Sequence, residues 1–97
     1  MKKENVISVI SGEEEDLRTK FSVASLSLFG SVARDEAGPE SDIDLLVEFS
    51  EPVGLFKFIE LKNYLEALLG CQVDLGTPRS LKLNIKDKVL KEAIRVT

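Results

Sequence analysis

The chain has 97 residues, with 13 Lys and Arg against 17 Asp and Glu, which gives a net charge of −4. Apolar residues make up 43% and charged residues 31%, so the composition excludes a disordered chain. No stretch reaches the run of about 20 apolar residues that a membrane-spanning helix needs. Histidine is absent, which excludes histidine bases, Ser-His-Asp triads and zinc sites with histidine ligands.

The cellular compartment and the class of partner are also constrained by composition. Cys71 is the single cysteine, so a disulfide within the chain is excluded. The first residues lack the apolar segment of a secretory signal, and we expect a reducing cytoplasm. The acidic balance argues against sequence-independent nucleic-acid binding, which depends on many Lys and Arg contacts with phosphates.

The first stretch has helical periodicity with one interruption. Apolar residues lie at helical spacing over residues 6–21, and Ser11 and Gly12 interrupt the pattern. Two interpretations stay open. In one, a helix restarts at Ser11, with Glu14 completing a capping box. In the other, a single helix tolerates Gly12 at a cost of about 1 kcal/mol.

Two strands follow, separated by a short helix. Residues 21–29 predict a largely buried strand, and residues 31–36 predict a short helix that ends at a Gly-Pro turn. Residues 43–49 predict the clearest strand, with one face entirely apolar (Ile43, Leu45, Val47 and Phe49) and Asp44, Leu46 and Glu48 on the other. Asp42 and Asp44 therefore share the polar face.

The second half predicts helix, strand and helix. Residues 55–69 have helical periodicity, and Gly70 is placed to end the helix. Its expected apolar stripe comprises Phe58, Leu61, Leu65 and Leu68. Residues 72–75 predict a short strand, and Asn84 is the expected N-cap of a final helix that carries Arg95 at its last turn. The expected buried side chains of this helix are Ile85, Val89, Ala93 and Ile94. The alternation predicts one α/β domain over residues 1–97, with a mixed sheet flanked by helices.

Three aspartates carry the clearest chemical signal. Carboxylates two residues apart on a strand, as Asp42 and Asp44 are, lie about 6.6 Å apart on one face and can hold a cation that also binds phosphate. If the strand over residues 72–75 runs beside them, Asp74 joins the same face. A third carboxylate allows a second metal ion and activation of an attacking hydroxyl.

A phosphate site is predicted at the end of the first strand. Gly30 and Ser31 lie where a strand passes into a helix, so backbone N–H groups and the serine hydroxyl can bind an anion. Arg34, one turn later, is positioned either to contact phosphate or to form a surface ion pair. Together with the acidic strand, these groups would hold a metal-bound triphosphate for nucleotidyl transfer with pyrophosphate as leaving group.

Gly-Ser, ten intervening residues and Asp-x-Asp resemble the signature of the DNA polymerase β-like nucleotidyltransferase superfamily. The stretches 28–34, 41–47 and 73–75 are similar to its minimal nucleotidyltransferase branch. This resemblance implies that Asp42, Asp44 and Asp74 hold two Mg²⁺ ions, and that Gly30 and Ser31 bind the phosphates of ATP. Asp35 departs from the glycine that the family more often has there, and an extra negative charge there would weaken nucleotide binding unless Asp35 faces solvent.

The resemblance also implies a partner. Minimal nucleotidyltransferases are commonly antitoxins that adenylylate a HEPN toxin, often on tyrosine, so we expect ATP-dependent transfer of AMP to such a protein. The catalytic layer takes up nearly all of these residues, so we expect no second domain that grips a nucleic acid, and we expect the acceptor to bring its own docking surface. Homo- or hetero-oligomers fit this expectation. The alternatives are an antitoxin that acts by binding alone and an enzyme that modifies a small hydroxylated molecule.

Overall fold

The computed structural model describes residues 2–34, 42–80 and 83–97, without the side chains of residues 80 and 83–86. The elements in chain order are α1 (Lys3–Ser11), α2 (Glu14–Phe21), β1 (Val23–Phe29), α3 (Gly30–Ala33), β2 (Ile43–Phe49), α4 (Leu55–Leu69), β3 (Val73–Gly76), a 3-10 turn (Pro78–Ser80), α5 (Leu83–Glu92) and β4 (Ile94–Arg95).

The four strands form one mixed sheet in the order β3-β2-β1-β4. Strand β1 runs antiparallel to both β2 and β4, whereas β2 and β3 are parallel. The predicted fold class, a mixed sheet flanked by helices, is therefore confirmed. Because β1 is antiparallel to β2, and β2 is parallel to β3, the C-terminal end of β1 lies at the same edge of the sheet as the N-terminal ends of β2 and β3.

The N-terminal pattern forms two helices rather than one. Helix α1 ends at Ser11 and α2 begins at Glu14, so the interpretation with a restarted helix is confirmed in part. The predicted capping box is wrong. The Ser11 hydroxyl donates to the carbonyl of Val96, 3.1 Å away, and the N-cap of α2 is Glu13, which makes no side-chain capping bond.

Strand β2 and helix α4 have the bounds that the sequence predicts. Alternation defines the strand, and Gly70 ends the helix in the left-handed conformation with φ of 71°. One position of the predicted stripe is wrong, because Leu69 is the buried residue in the last turn and Leu68 is half-buried.

The C-terminal segment differs most from the prediction. The last helix begins at Leu83, one residue before the predicted cap, and ends at Glu92. Residues 94–95 leave the helix and add a fourth strand, in which Ile94 pairs with Leu28. Hydrogen bonds with β1 satisfy the backbone N–H and C=O groups of residues 94–95. An edge strand therefore stabilises this segment more than one further helical turn would.

The remaining boundaries shift by one or two residues. The first strand begins at Val23 rather than residue 21, because α2 extends to Phe21, and β3 spans residues 73–76 rather than 72–75. The predicted short helix is seen as α3, while residues 35–41, with the predicted Gly-Pro turn, lie outside the described residues.

The hydrophobic core lies on one face of the sheet. Alternate residues of each strand face it, and the helices cover them with apolar side chains. The helical contributors are Val6, Ile10, Leu17, Val32, Ala33, Leu61, Leu65 and Leu69. The opposite face of β2 carries Asp44 and Glu48, and the corresponding face of β3 carries Asp74. Among the described residues, no helix has the length and apolar character to cross a bilayer.

Candidate active site

The first two aspartates flank a core residue at the start of β2. Ile43 is 1% exposed and fixes the orientation of the strand, so Asp42 and Asp44 extend from the opposite face. Asp42 is exposed and Asp44 is half-buried. The sequence predicted a shared face for these carboxylates, and the burial of their neighbours follows that pattern.

The parallel pairing of β2 with β3 brings in the third aspartate. Asp44 and Asp74 are partners in the register, directly beside each other on adjacent strands. Asp74 is exposed, while its neighbours Val73 and Leu75 are buried on the core side. The sheet therefore places the side chains of Asp44 and Asp74, which are thirty residues apart in the sequence, on one surface.

The electrostatics of this surface centre on Asp44. Burial raises the pKa of its carboxyl from 3.8 to about 6, and the negative charges of Asp74 and Asp42 act in the same direction. A side-chain hydrogen bond with Asp74 raises this pKa further, whereas the positive charge of Arg34 lowers it. Ionisation of Asp44 is thus less favourable than that of an ordinary aspartate, and a cation at this surface would stabilise the ionised form.

The donor chemistry fits Mg²⁺, which prefers carboxylate oxygen. Within the described ranges, no three Asp, Glu, Cys or His side chains form a group that could hold a metal ion. Mg²⁺ bound with a nucleotide does not require such a cage, since one or two carboxylates and the phosphates are its usual ligands. Asp44, with Asp42 and Asp74 beside it, can supply that share.

Gly30 lies directly against Asp44. Its φ of 75° is in the left-handed region, and a Cβ atom at this position would overlap Asp44 Oδ2 and lie 3.0 Å from its Cγ. The register agrees, because Phe29 is the partner of Asp44 on β1. Glycine thus lets the turn into α3, with the half-buried Ser31 next in the chain, approach the acidic surface.

Arg34 follows α3 and forms an ion pair. Its Nη1 lies 3.3 Å from Oε2 of Glu92, the last residue of α5. Its charge also reaches Asp44, whose pKa it lowers. The sequence left open whether Arg34 forms an ion pair or contacts phosphate; the described structure contains the ion pair. Sequence reasoning missed Glu92, because 58 residues separate it from Arg34 and no local pattern connects them.

A cleft among the described residues lies away from this acidic surface. It measures about 790 Å³ and is formed by the end of β2, the loop over residues 50–54, the first turns of α4 and residues 77–79. Gly30, Asp44 and Asp74 do not line it. The candidate site is assigned to the edge with the clustered carboxylates, because phosphoryl chemistry depends on placed charge rather than on a deep cavity. Asp35 lies outside the described residues.

Comparisons with known proteins show the family of the chain. The sequence model of the nucleotidyltransferase domain matches residues 10–96. Protein adenylyltransferase MntA of Thermococcus cleftensis is 46% identical over 93 residues, which cover 96% of this chain and 94% of the relative.

Solved structures give the same fold. A structure assigned as a minimal nucleotidyltransferase is 38% identical, with a TM-score of 0.80, and the match covers 97% of this chain and 95% of that one. The fold also recurs in the structure of a tri-AMPylated Shewanella oneidensis HEPN toxin in complex with MNT antitoxin, with a TM-score of 0.64 at 20% identity, covering 94% of this chain and 71% of that one. At that identity the likeness concerns the fold alone.

Proposed function

The chain belongs to the nucleotidyltransferase domain family, and we propose that it is a protein adenylyltransferase that uses ATP to place AMP on a tyrosine hydroxyl of a HEPN toxin, as an antitoxin. The observation that carries the proposal is the position of Asp44, between Gly30 on one side and Asp74 on the other. A turn that can bind phosphate and a surface that can bind a cation meet at that point. The reaction belongs in the cytoplasm, where ATP is available.

The partner is proposed from relatives. The chain is 46% identical to a protein named as a protein adenylyltransferase, and it shares its fold with the antitoxin of a complex that contains an AMPylated HEPN toxin. The structure adds one supporting feature. Leu55 and Phe56, in the first turn of α4, are 71% and 84% exposed, which is typical of a protein-binding surface when such residues adjoin.

Each residue of the site has a distinct role in this proposal. The backbone N–H groups at Gly30 and Ser31, together with the serine hydroxyl, bind the triphosphate. Asp42, Asp44 and Asp74 hold two Mg²⁺ ions. When bound, Mg²⁺ supplies neutralisation of phosphate charge and orientation of the reacting oxygens.

The transfer itself is an in-line displacement. The acceptor oxygen forms a bond with the α-phosphorus while the bond to pyrophosphate breaks, and pyrophosphate leaves with the electron pair. The proton of the acceptor hydroxyl passes to Asp74, which is exposed. Gly30 and Ser31 keep the triphosphate in line with that attack.

The test is incubation of the full chain with its HEPN partner, ATP and Mg²⁺, followed by intact mass of the partner. We expect a mass increase equal to one or more AMP groups. Asp42→Asn and Asp44→Asn abolish it, while Asp87→Asn, which removes an exposed carboxylate from α5, leaves it unchanged. Full transfer by either aspartate variant would contradict the proposed metal ligands.

The same reagents separate catalysis from binding alone. If the chain neutralises the toxin without ATP, and Asp42→Asn does so equally well, the antitoxin acts by complex formation and the proposed transfer is wrong. Labelling of a small hydroxylated molecule with no labelling of the partner would contradict the protein acceptor.

A further inference from the structure

We propose that the acceptor segment of the partner protein binds in extended conformation along the outer edge of β3, antiparallel to it, as an added strand of the four-stranded sheet. The proposal rests on the proposed function and deepens it, because it states how the acceptor hydroxyl reaches Asp74. Among the described strands, β3 pairs with β2 alone, so its other side is an edge of the sheet. Asp74 lies on this strand and is exposed.

The parallel ladder determines which backbone groups of β3 point away from β2. The amide of Ile43 donates to the carbonyl of Gln72, at 3.0 Å. Because a parallel ladder uses every second residue of a strand, Gln72 and Asp74 bond to β2. The N–H and C=O groups of Val73 and Leu75 therefore point to the outer edge.

The two residues on the outer edge differ in their partners. The amide of Val73 donates to Oε2 of Glu66, at 3.0 Å, so a side chain of α4 takes the place of a neighbouring strand there. Among the described residues, nothing bonds to the N–H or C=O of Leu75. A single residue of an antiparallel strand supplies both missing partners, because a hydrogen-bonded pair exchanges two N–H···O bonds.

This edge offers its partner backbone groups rather than side chains. The side chains of Val73 and Leu75 are 3% and 9% exposed, since both face the core. What the edge presents is therefore the N–H and C=O of Leu75. An extended segment has free N–H and C=O groups to pair with them, whereas a helix uses its own groups internally. The occupant that fits the edge is thus an extended segment.

Alternation along the added strand places the acceptor side chain. The residue that pairs with Leu75 points to the core face, so the residues before and after it point to the face that carries Asp74. Side chains directly opposite each other have Cβ atoms about 4.5–5.5 Å apart, and diagonal neighbours about 7–8 Å, which is within reach of an aromatic ring. A tyrosine next to the residue that pairs with Leu75 thus brings its hydroxyl to Asp74.

Amide hydrogen exchange of the full chain, resolved by residue with NMR, tests the edge. In the free chain we expect the Leu75 amide to exchange at least about tenfold faster than the Asp74 amide, which is bonded within the ladder. The HEPN partner, with phenylalanine in place of its acceptor tyrosine so that nothing is transferred, should slow the Leu75 amide at least about tenfold. The Val73 amide, already bonded to Glu66, is the internal control and should change by less than about twofold.

N-methylated peptides separate strand pairing from simple coverage of the edge. The probe is a synthetic peptide of about ten residues around the tyrosine that carries AMP in the labelled partner. It is incubated with the full chain, ATP and Mg²⁺, and its labelling is followed by intact mass. In a series with one methylated amide each, methylation of the amide that pairs with Leu75 should lower the labelling rate at least about tenfold. Methylation of the amide on either side should change the rate by less than about twofold.

Four results would overturn the proposal. The first is slow exchange of the Leu75 amide in the free chain, as in a second copy paired through this edge. The second is unchanged exchange of that amide in the complex, and the third is a methylation series without alternation. The fourth is labelling of the whole partner without labelling of the unmethylated peptide. If neither the whole partner nor the peptide is labelled, the proposed function itself fails, and this inference fails with it.

Discussion

At the start of β2, Asp44 lies beside Asp74, and crowded negative charge and burial raise the pKa of Asp44 to about 6. Just after the end of the same strand, the polar groups form a chain of mutual contacts. The Ser22 hydroxyl donates to Glu51 at 3.0 Å and accepts from Lys57 at 3.3 Å. The two groups of polar side chains are thus at opposite ends of one seven-residue strand.

The difference shows which polar groups the fold itself compensates. Around Ser22, a cation, a hydroxyl and a carboxylate satisfy one another, so this end contributes to stability. Around Asp44, the neighbouring carboxylates repel one another, and this repulsion lowers the stability of the folded chain in the absence of a cation. We conclude that the second arrangement is retained for chemistry, and four substitutions test that contrast.

The largest effect is expected from Gly30→Ala. The new methyl group would overlap Asp44 Oδ2, and alanine is strained at φ of 75°. We expect the free energy of unfolding to fall by about 2–4 kcal/mol, measured by urea denaturation. Nucleotide binding should be lost as well, since the turn can no longer lie against the acidic surface.

Gly70→Ala is the matched control for that substitution. Gly70 has φ of 71°, nearly the same strain, but a Cβ atom there would have no neighbour within 4 Å among the described residues. It should lose only about 1 kcal/mol. Equal losses for the two variants would mean that contact with Asp44 does not determine the choice of glycine at position 30.

Local patterns predicted the acidic edge of the sheet more completely than its surroundings. The alternation over residues 43–49 is set by one strand and its burial, so the bounds of β2 and the shared face of Asp42 and Asp44 were accessible from sequence. The position of Asp74 required only the assumption that two strands are neighbours, which the parallel register confirms.

Contacts between distant segments were not accessible in the same way. Strand β4 has two residues, and it exists because β1 offers an unpaired edge. The Ser11 hydroxyl bonds to Val96, 85 residues away, instead of capping the nearby helix. The pairing of Arg34 with Glu92 depends on both the sheet edge and the end of α5, so no local signal marks Glu92.

The second effect is expected from Ser22→Ala. Ser22 is 8% exposed, and without its hydroxyl the side chains of Glu51 and Lys57 lose their shared partner. The free energy of unfolding should fall by about 1–2 kcal/mol. Ser22→Gly also removes the hydroxyl but relieves the left-handed backbone, with φ of 57°, so it should be about 1 kcal/mol more stable than Ser22→Ala. An unchanged stability of Ser22→Ala would remove the contrast between the two ends.

The third effect, from Asp44→Asn, has the opposite sign. The folded-state pKa of Asp44 is about 6, above its ordinary value of 3.8. The contribution of Asp44 to the stability of the folded protein is therefore complete below pH 3.8 and is lost as the pH rises through about 6. Without Mg²⁺ or nucleotide, we expect Asp44→Asn to be about 1 kcal/mol more stable than the unmodified chain at pH 7.5, a figure reduced for the partial exposure of Asp44.

Urea denaturation over pH 4–8 checks this sign. The difference between the two proteins should grow with pH between about 4 and 6.5 and then stay constant. Mg²⁺ should stabilise the unmodified chain more than the variant. A constant difference over the whole range would show that Asp44 carries no electrostatic cost in the folded protein.

The smallest effect is expected from Glu51→Gln, which removes a carboxylate at the other end of the strand. The Glu51 carboxylate accepts a hydrogen bond from the Ser22 hydroxyl. Because a neutral amide is a weaker acceptor than a carboxylate, the free energy of unfolding at pH 7.5 should fall by about 0.5 kcal/mol. Glu48→Gln, at an exposed position on β2, corrects for the lower net charge. Because Asp44→Asn is expected to stabilise the chain and Glu51→Gln to destabilise it, the same sign for both would mean that overall charge, rather than local compensation, governs the two ends.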